Sequence, residues 1–240
     1  MPVEALEPGQ RELTGPTARY IQRVHRLGPG DWLWLFDPLL GMEAEAQIVA
    51  EAAGAVTCRL DSIRASGYRP VPICLLQALG KGDKPDQTIR DATALGVERI
   101  VFVESEHAVV RLEAERTATR RMRWQRIAVE AARQCGRGNL PAIHGPLPLF
   151  DVLAQSTQAR RLLLSAQAAP LLAQLADWQP GQAVALLVGP EGGLSATEIA
   201  RAEGAGFRPA ALGPTTLRTE LAGIAVLGAL VAFGALRGIG

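Results

Sequence analysis

The chain has 240 residues, 48% of them apolar, and a formal net charge of +1. Such a chain is globular and long enough to bury a core in one large domain or two smaller ones, and its charge balance confines any affinity for a polyanion to a local patch. Cys58, Cys74 and Cys135 are odd in number, lack a C-x-x-C spacing and stand apart from His25, His107 and His144, which argues against a disulfide framework or a structural metal site and suits a reducing, cytoplasmic setting.

In chain order, MPVEALEPGQ lacks the apolar stretch of a signal peptide. ARYIQRVHRL, Ala18 to Leu27, has helical spacing at Tyr20, Ile21, Val24 and Leu27. From Trp32 to about Ile63 the signals are those of strands: DWLWLFD follows a Gly30-Asp31 turn, and AEAQIVAEA and AVTCRLDSI alternate. Short strands without long helices between them predict a small barrel or sheet. SGYRPVP, Ser66 to Pro72, then reads as a linker, because glycine and two prolines interrupt both patterns.

Beyond it, strands and helices alternate. ICLLQAL and RIVFVES are continuous apolar runs, as buried parallel strands are, with a helical PDQTIRDATALGV between them. RRLLLSA, AVALLVG and RPAALG complete a predicted five-stranded sheet of an α/β domain. The helix from about Leu112 to Cys135 is cationic: Arg111, Arg116, Arg120, Arg121, Arg123, Arg126, Arg133 and Arg137 face only Glu113, Glu115 and Glu130. Arg116, Arg120 and Arg123 share one helical face, and the planar guanidinium fork suits phosphate; the competing reading is a solvated charged helix. Trp124 is expected in the core.

Two later stretches carry the strongest signals. LLVGPEGGLSATEIARAEGAGF resembles a phosphate-binding strand-to-helix turn, yet it has neither G-x-G-x-x-G nor a P-loop, and it sets Glu191 in the turn. Gly189, Gly192 and Gly193 let backbone approach a ligand, and Ser195 with Glu198 predicts a capping box. In LGPTTLRTE, Thr219 and Glu220 suit a first helical turn, whereas Arg218 opposes the helix dipole and predicts an answering carboxylate or ligand. The run Leu221 to Leu236, at sixteen residues with three glycines, is shorter than the ~20 a membrane span needs and reads as a buried helix.

Together GPEGGLSATEIARAEGAGF and LGPTTLRTELAGIAVLGAL resemble the small-subunit ribosomal RNA uridine N3-methyltransferases of the SPOUT (α/β-knot) superfamily. KGDK, ALGVERIVFVESEH and RWQRIAVEAARQCGRGNLP support the likeness, and RVHRLGPGDWLWLFD is similar to that family's PUA-like barrel. The resemblance implies a PUA-like RNA-binding domain over residues 1–68 and a trefoil-knotted methyltransferase domain over 71–240. It implies S-adenosyl-L-methionine as cofactor, small-subunit ribosomal RNA or the assembled subunit as partner, no membrane, and a homodimer through the C-terminal helix, Val231 included.

Carried over residue by residue, Leu187, Gly189, Glu191, Gly192, Leu212, Gly213, Leu217, Arg218 and Thr219 are implied in cofactor binding. Arg218 is the implied catalytic cation, with Glu191 or Glu220 as proton acceptor or arginine orienter. Arg23, Arg26, Lys81, Lys84, Arg116, Arg120, Arg123, Gln134 and Arg137 are implied in RNA binding. The chain departs from the family pattern at Asp91, Ala94, His107, Arg133, Thr215 and Leu221, which motivates a rival reading as an RNA-binding protein with altered substrate or lost catalysis.

Overall fold

The structure is a computed structural model that describes residues 1–108, 114–179, 181–213 and 215–236, without the side chains of 114–117 and 234–236. Arg111, the helix start expected at Leu112 and the side chain of Arg116 therefore lie outside the described residues. Two compact units are present, Met1–Arg69 with Ala132–Leu140, and Pro70–Ala131 with Pro141–Gly240.

The first unit is antiparallel. Strand β1 (Gly9–Thr14) leads into helix α1 (Gly15–Arg19), which widens into a π-helical stretch, Tyr20–His25, and stops at Arg26 with φ 56°. Strands β2 (Trp32–Asp37), β3 (Met42–Ala52), β4 (Ala55–Leu60) and the short β5 (Arg64–Ala65) follow. The order is β1-β4-β3-β2, with β5 on β3. Alternation sends Leu33, Leu35, Ala44, Ala46 and Ile48 into a core shared with Ile21 and Val56, while Trp32 and Trp34 point outward. β1 is absent from the sequence-based assignment because GQRELT is polar at four of its six positions.

The second unit is α/β. Its parallel strands are β6 (Val71–Ala78), β7 (Val97–Glu104), β8 (Ala142–Pro148), β9 (Arg160–Leu164), β10 (Val184–Val188) and β11 (Arg208–Ala210), in the order β11-β9-β10-β6-β7-β8. That makes six strands where five were expected. The additional strand, AIHGPLP, carries a glycine and two prolines; it is tolerated at an edge, where fewer ladder hydrogen bonds are required.

Helices α2 (Lys84–Ala94), α3 (Ala114–Cys135), α4 (Leu149–Ala154), α5 (Leu171–Gln174), α6 (Ala196–Gly204) and α7 (Thr219–Leu236) connect or follow these strands. Because helices cover both faces, β10 is apolar throughout and β6 is apolar apart from Gln77, which is buried too. Leu149, Val152, Leu153 and Ala202 of α4 and α6 pack on Leu76, Val101, Leu163 and Leu187. On the opposite face Trp124 of α3 is buried with its ring 4.4 Å from that of Phe102, as its expected core position requires.

Helix α7 is buried along Gly223, Val226, Leu227 and Leu230. A Cβ at Gly223 would meet Gln77 Oε1 at 3.0 Å and Val188 Cγ2 at 3.2 Å, so this glycine lets the helix lie close against β6 and β10. The other side, Leu221, Ala225, Gly228 and Ala232, is exposed or partly so. The run is thus covered on one side only, not wholly buried. Among the described residues no helix is long and apolar enough to cross a membrane.

Candidate functional site

A cavity of about 570 Å³ opens beyond the C-terminal ends of β9 and β10, the edge at which open α/β sheets bind ligands. One wall is Leu163 to Gln167, at and beyond the end of β9. Another is Val188, Gly189, Pro190, Gly193 and Leu194. The third is Leu212, Gly213, Thr215, Thr216 and Leu217, leading into Thr219, Ala222 and Val226 of α7. Much of this lining comes from loop residues outside the strands and helices, whose backbone N–H and C=O groups are not spent on a ladder and can pair with a polar heterocycle.

The glycine loop is fixed from several sides. The Gly193 N–H donates to Pro190 O at 2.9 Å, closing a turn in which Gly193 has φ +75°. Ser195 caps α6 in a complete capping box: Glu198 N–H donates to Ser195 Oγ at 3.2 Å, and Ser195 N–H to Glu198 Oε2 at 2.8 Å. Glu198 is buried, and its Oε1 accepts from Glu106 N–H at 2.8 Å, tying the segment after β7 to the loop. His107 Nδ1 lies 3.1 Å from Gly193 O. Across the cavity, Thr219 Oγ1 donates to Gly189 O at 3.3 Å, joining α7 to the loop.

Beside this junction stands an ion cluster. Lys84 Nζ is 2.5 Å from Glu191 Oε1 and 3.3 Å from Glu220 Oε2. The hydrogen bond from Lys84 holds the Glu191 carboxyl below the usual carboxylate range, and the same bond raises the Lys84 ammonium. Glu191 is therefore the anionic half of a charge-assisted bond.

The expected site residues separate into groups. Gly189, Leu212, Gly213, Leu217 and Thr219 line the cavity. Leu187 is buried within β10, and Glu191 turns to Lys84. Gly192 lies beside His107, where an added Cβ would make an ordinary contact at 3.5 Å. Gly193 and the segment after β9 enter the lining in their stead; the positive φ of Gly193 has no signature in sequence beyond the glycine itself. Arg218 is exposed, and among the described residues its side chain has no hydrogen-bond or ion-pair partner.

Among the residues expected to meet RNA, Arg23, Arg26, Lys81 and Gln134 are exposed. Arg123 pairs with Asp86, a buried residue in the first turn of α2. Arg137 is 1% exposed: its guanidinium lies 5.2 Å over the Tyr68 ring, and its Nε donates to Asn139 Oδ1 at 2.9 Å. Its place is thus interior, contrary to the expected surface contact, because a planar cation with an aromatic face and an amide beside it can be buried.

The model of the RNA methyltransferase domain family matches residues 68–231. The ribosomal RNA small subunit methyltransferase E of Mycobacterium bovis is 32% identical over 224 residues, which cover 90% of this chain and 84% of that protein. The chain belongs to the ribosomal RNA small subunit methyltransferase E family. Another member, from Neisseria gonorrhoeae and solved bound to S-adenosylmethionine, is 29% identical with a TM-score of 0.73, over 97% of this chain and 96% of its own. A Legionella pneumophila protein solved with bound SAM is 32% identical, with a TM-score of 0.73 over 95% and 94% of the two chains. In this methyltransferase E chain the matched segment contains the whole cavity lining and the Lys84 cluster.

Proposed function

We propose that the chain transfers a methyl group from S-adenosylmethionine to N3 of a uridine in small-subunit ribosomal RNA. The observation that carries this is the cavity itself, at the ligand-binding edge of the sheet, walled by the loop residues Gly189, Pro190 and Gly193 and by Leu212, Gly213 and Leu217, in a chain of the methyltransferase E family. Its ~570 Å³ suits a folded nucleoside-sized molecule, and a Cβ at Gly213 would meet nothing within 4 Å, so the floor there is open. The bound cofactor would supply an electrophilic methyl on a sulfonium.

The chain's own part is alignment, since an in-line displacement gains most from orientation. Arg218, exposed beside the cavity at the start of α7 and without a partner among the described residues, is suited to stabilise charge developing on the uracil oxygens as the N3 proton leaves. Lys84 engages both carboxylates, but the shorter contact, 2.5 Å to Glu191 against 3.3 Å to Glu220, makes Glu191 the anchor and leaves Glu220 or solvent as the proton acceptor. The target base is presented unstacked.

The same reading takes the six-stranded domain as SPOUT-like and knotted, the antiparallel unit as a PUA-like barrel that grips RNA, and the protein as a cytoplasmic homodimer. Parallel strand order in the one supports the α/β part of this reading and antiparallel pairing in the other its barrel part. Labelled S-adenosylmethionine and small subunits lacking the modification test it: the label appears as 3-methyluridine at a single position. Label on another atom, or none from a protein that binds the cofactor, overturns the assignment.

A further inference from the structure

Lys84 is the first residue of α2, where a cation opposes the helix dipole. Its position is therefore set by other charges. Its stem lies against Gly80, where an added Cβ would meet Lys84 Cβ and Cδ at 3.2 Å, and its ammonium, on a side chain only 29% exposed, meets Glu191 and Glu220 together. Glu191 belongs to the glycine loop and Glu220 to the first turn of α7, two segments that form facing walls of the cavity. Among the described residues the hydrogen bond that joins these walls directly is Thr219 to Gly189, at a weak 3.3 Å.

We infer that Lys84 is a positioning residue of the cofactor site, a clamp that holds the glycine loop against α7 by engaging a carboxylate on each. Without the ammonium the two carboxylates face each other unscreened and the walls are driven apart. A cavity that is closed for only a fraction of the time binds its ligand with affinity reduced by that fraction. Lys84 thus acts on the ligand through the shape of the cavity, which it does not itself line, and not as the RNA phosphate contact its sequence position suggested.

The inference rests on the cofactor proposed above, so calorimetry of the parent chain with S-adenosylmethionine comes first: no binding there removes the proposed function, and this inference with it. Given binding, Lys84→Met raises the dissociation constant about tenfold, while Lys84→Arg, which can still span two carboxylates, stays within about twofold. The double variant Lys84→Met/Glu191→Gln removes the repulsion as well and binds no more weakly than Lys84→Met alone. A residue that merely stabilises the fold would lower the melting temperature and leave the cofactor affinity unchanged; that result, or a loss confined to RNA affinity, overturns the clamp. Should Lys84→Met not fold, Glu191→Gln decides, since it breaks the shorter arm at a side chain 40% exposed: about threefold weaker binding is expected, and unchanged binding overturns.

Discussion

At the scale of single residues, the glycine loop separates two neighbours that look alike in sequence. Gly193 has φ +75°, a left-handed backbone that costs an L side chain roughly 1–2 kcal/mol. Gly192 has room for a methyl group, with His107 Cβ at 3.5 Å. Gly193→Ala is therefore expected to weaken S-adenosylmethionine binding by about fivefold to tenfold and to lower the melting temperature, whereas Gly192→Ala changes neither. Calorimetry and thermal melts on the two variants check this, and equal effects at both sites would place the strain elsewhere. The sequence flagged both glycines because each permits close backbone approach; only the traced backbone distinguishes the one in the left-handed region.

At the scale of elements, helix α3 is not one uniform cationic face. Arg123 is committed to Asp86, while Arg120 and Arg126 make no ion pair among the described residues. Replacing Arg123 leaves the carboxylate of a buried residue without its cation, so Arg123→Gln is expected to cost about 1 kcal/mol of stability, a modest figure because the arginine side is solvated. Replacing Arg120 and Arg126 by glutamine leaves stability unchanged but weakens RNA binding and flattens its dependence on salt, as fewer counterions are released. Denaturant melts and filter binding across a salt series separate the two effects. If Arg120 and Arg126 prove silent in both, the helix is a solvated surface, the alternative its charge pattern left open. The burial of Trp124 was legible from its place among polar neighbours; the Arg123–Asp86 pair was not, since the partners come from different helices.

At the scale of the whole molecule, α7 carries an apolar stripe that its own sheet does not cover. Leu221, Ala225, Gly228 and Ala232 recur at helical spacing on one side, exposed or partly so, and a Cβ at Gly228 would meet nothing within 4 Å. Val231, expected at an interface from the apolar run, is partly buried beside this stripe and so is a less direct place to test it. In a two-fold dimer through the stripe a charge at Ala225 is introduced twice. Ala225→Glu is then expected to sediment as a monomer and to lose methyl transfer while keeping its secondary structure. A parent chain that is already monomeric and fully active at micromolar concentration removes the dimer.

The sequence by itself determined the elements whose side-chain period is set by burial. β2 and β3 alternate because one face of their sheet meets a core, and β6 and β10 are continuous apolar runs, Gln77 excepted, because both of their faces do. It determined the Ser195–Glu198 capping box, whose partners lie three residues apart. Tertiary structure alone decided the rest. β8 is a strand because it completes an edge, against the propensity of its glycine and prolines. Lys84 and Glu191 meet across 107 residues of chain, so no local period records their contact. Arg137 is interior and Arg218 exposed, although both are arginines in charged stretches, because burial follows from what packs against a side chain and not from its own polarity.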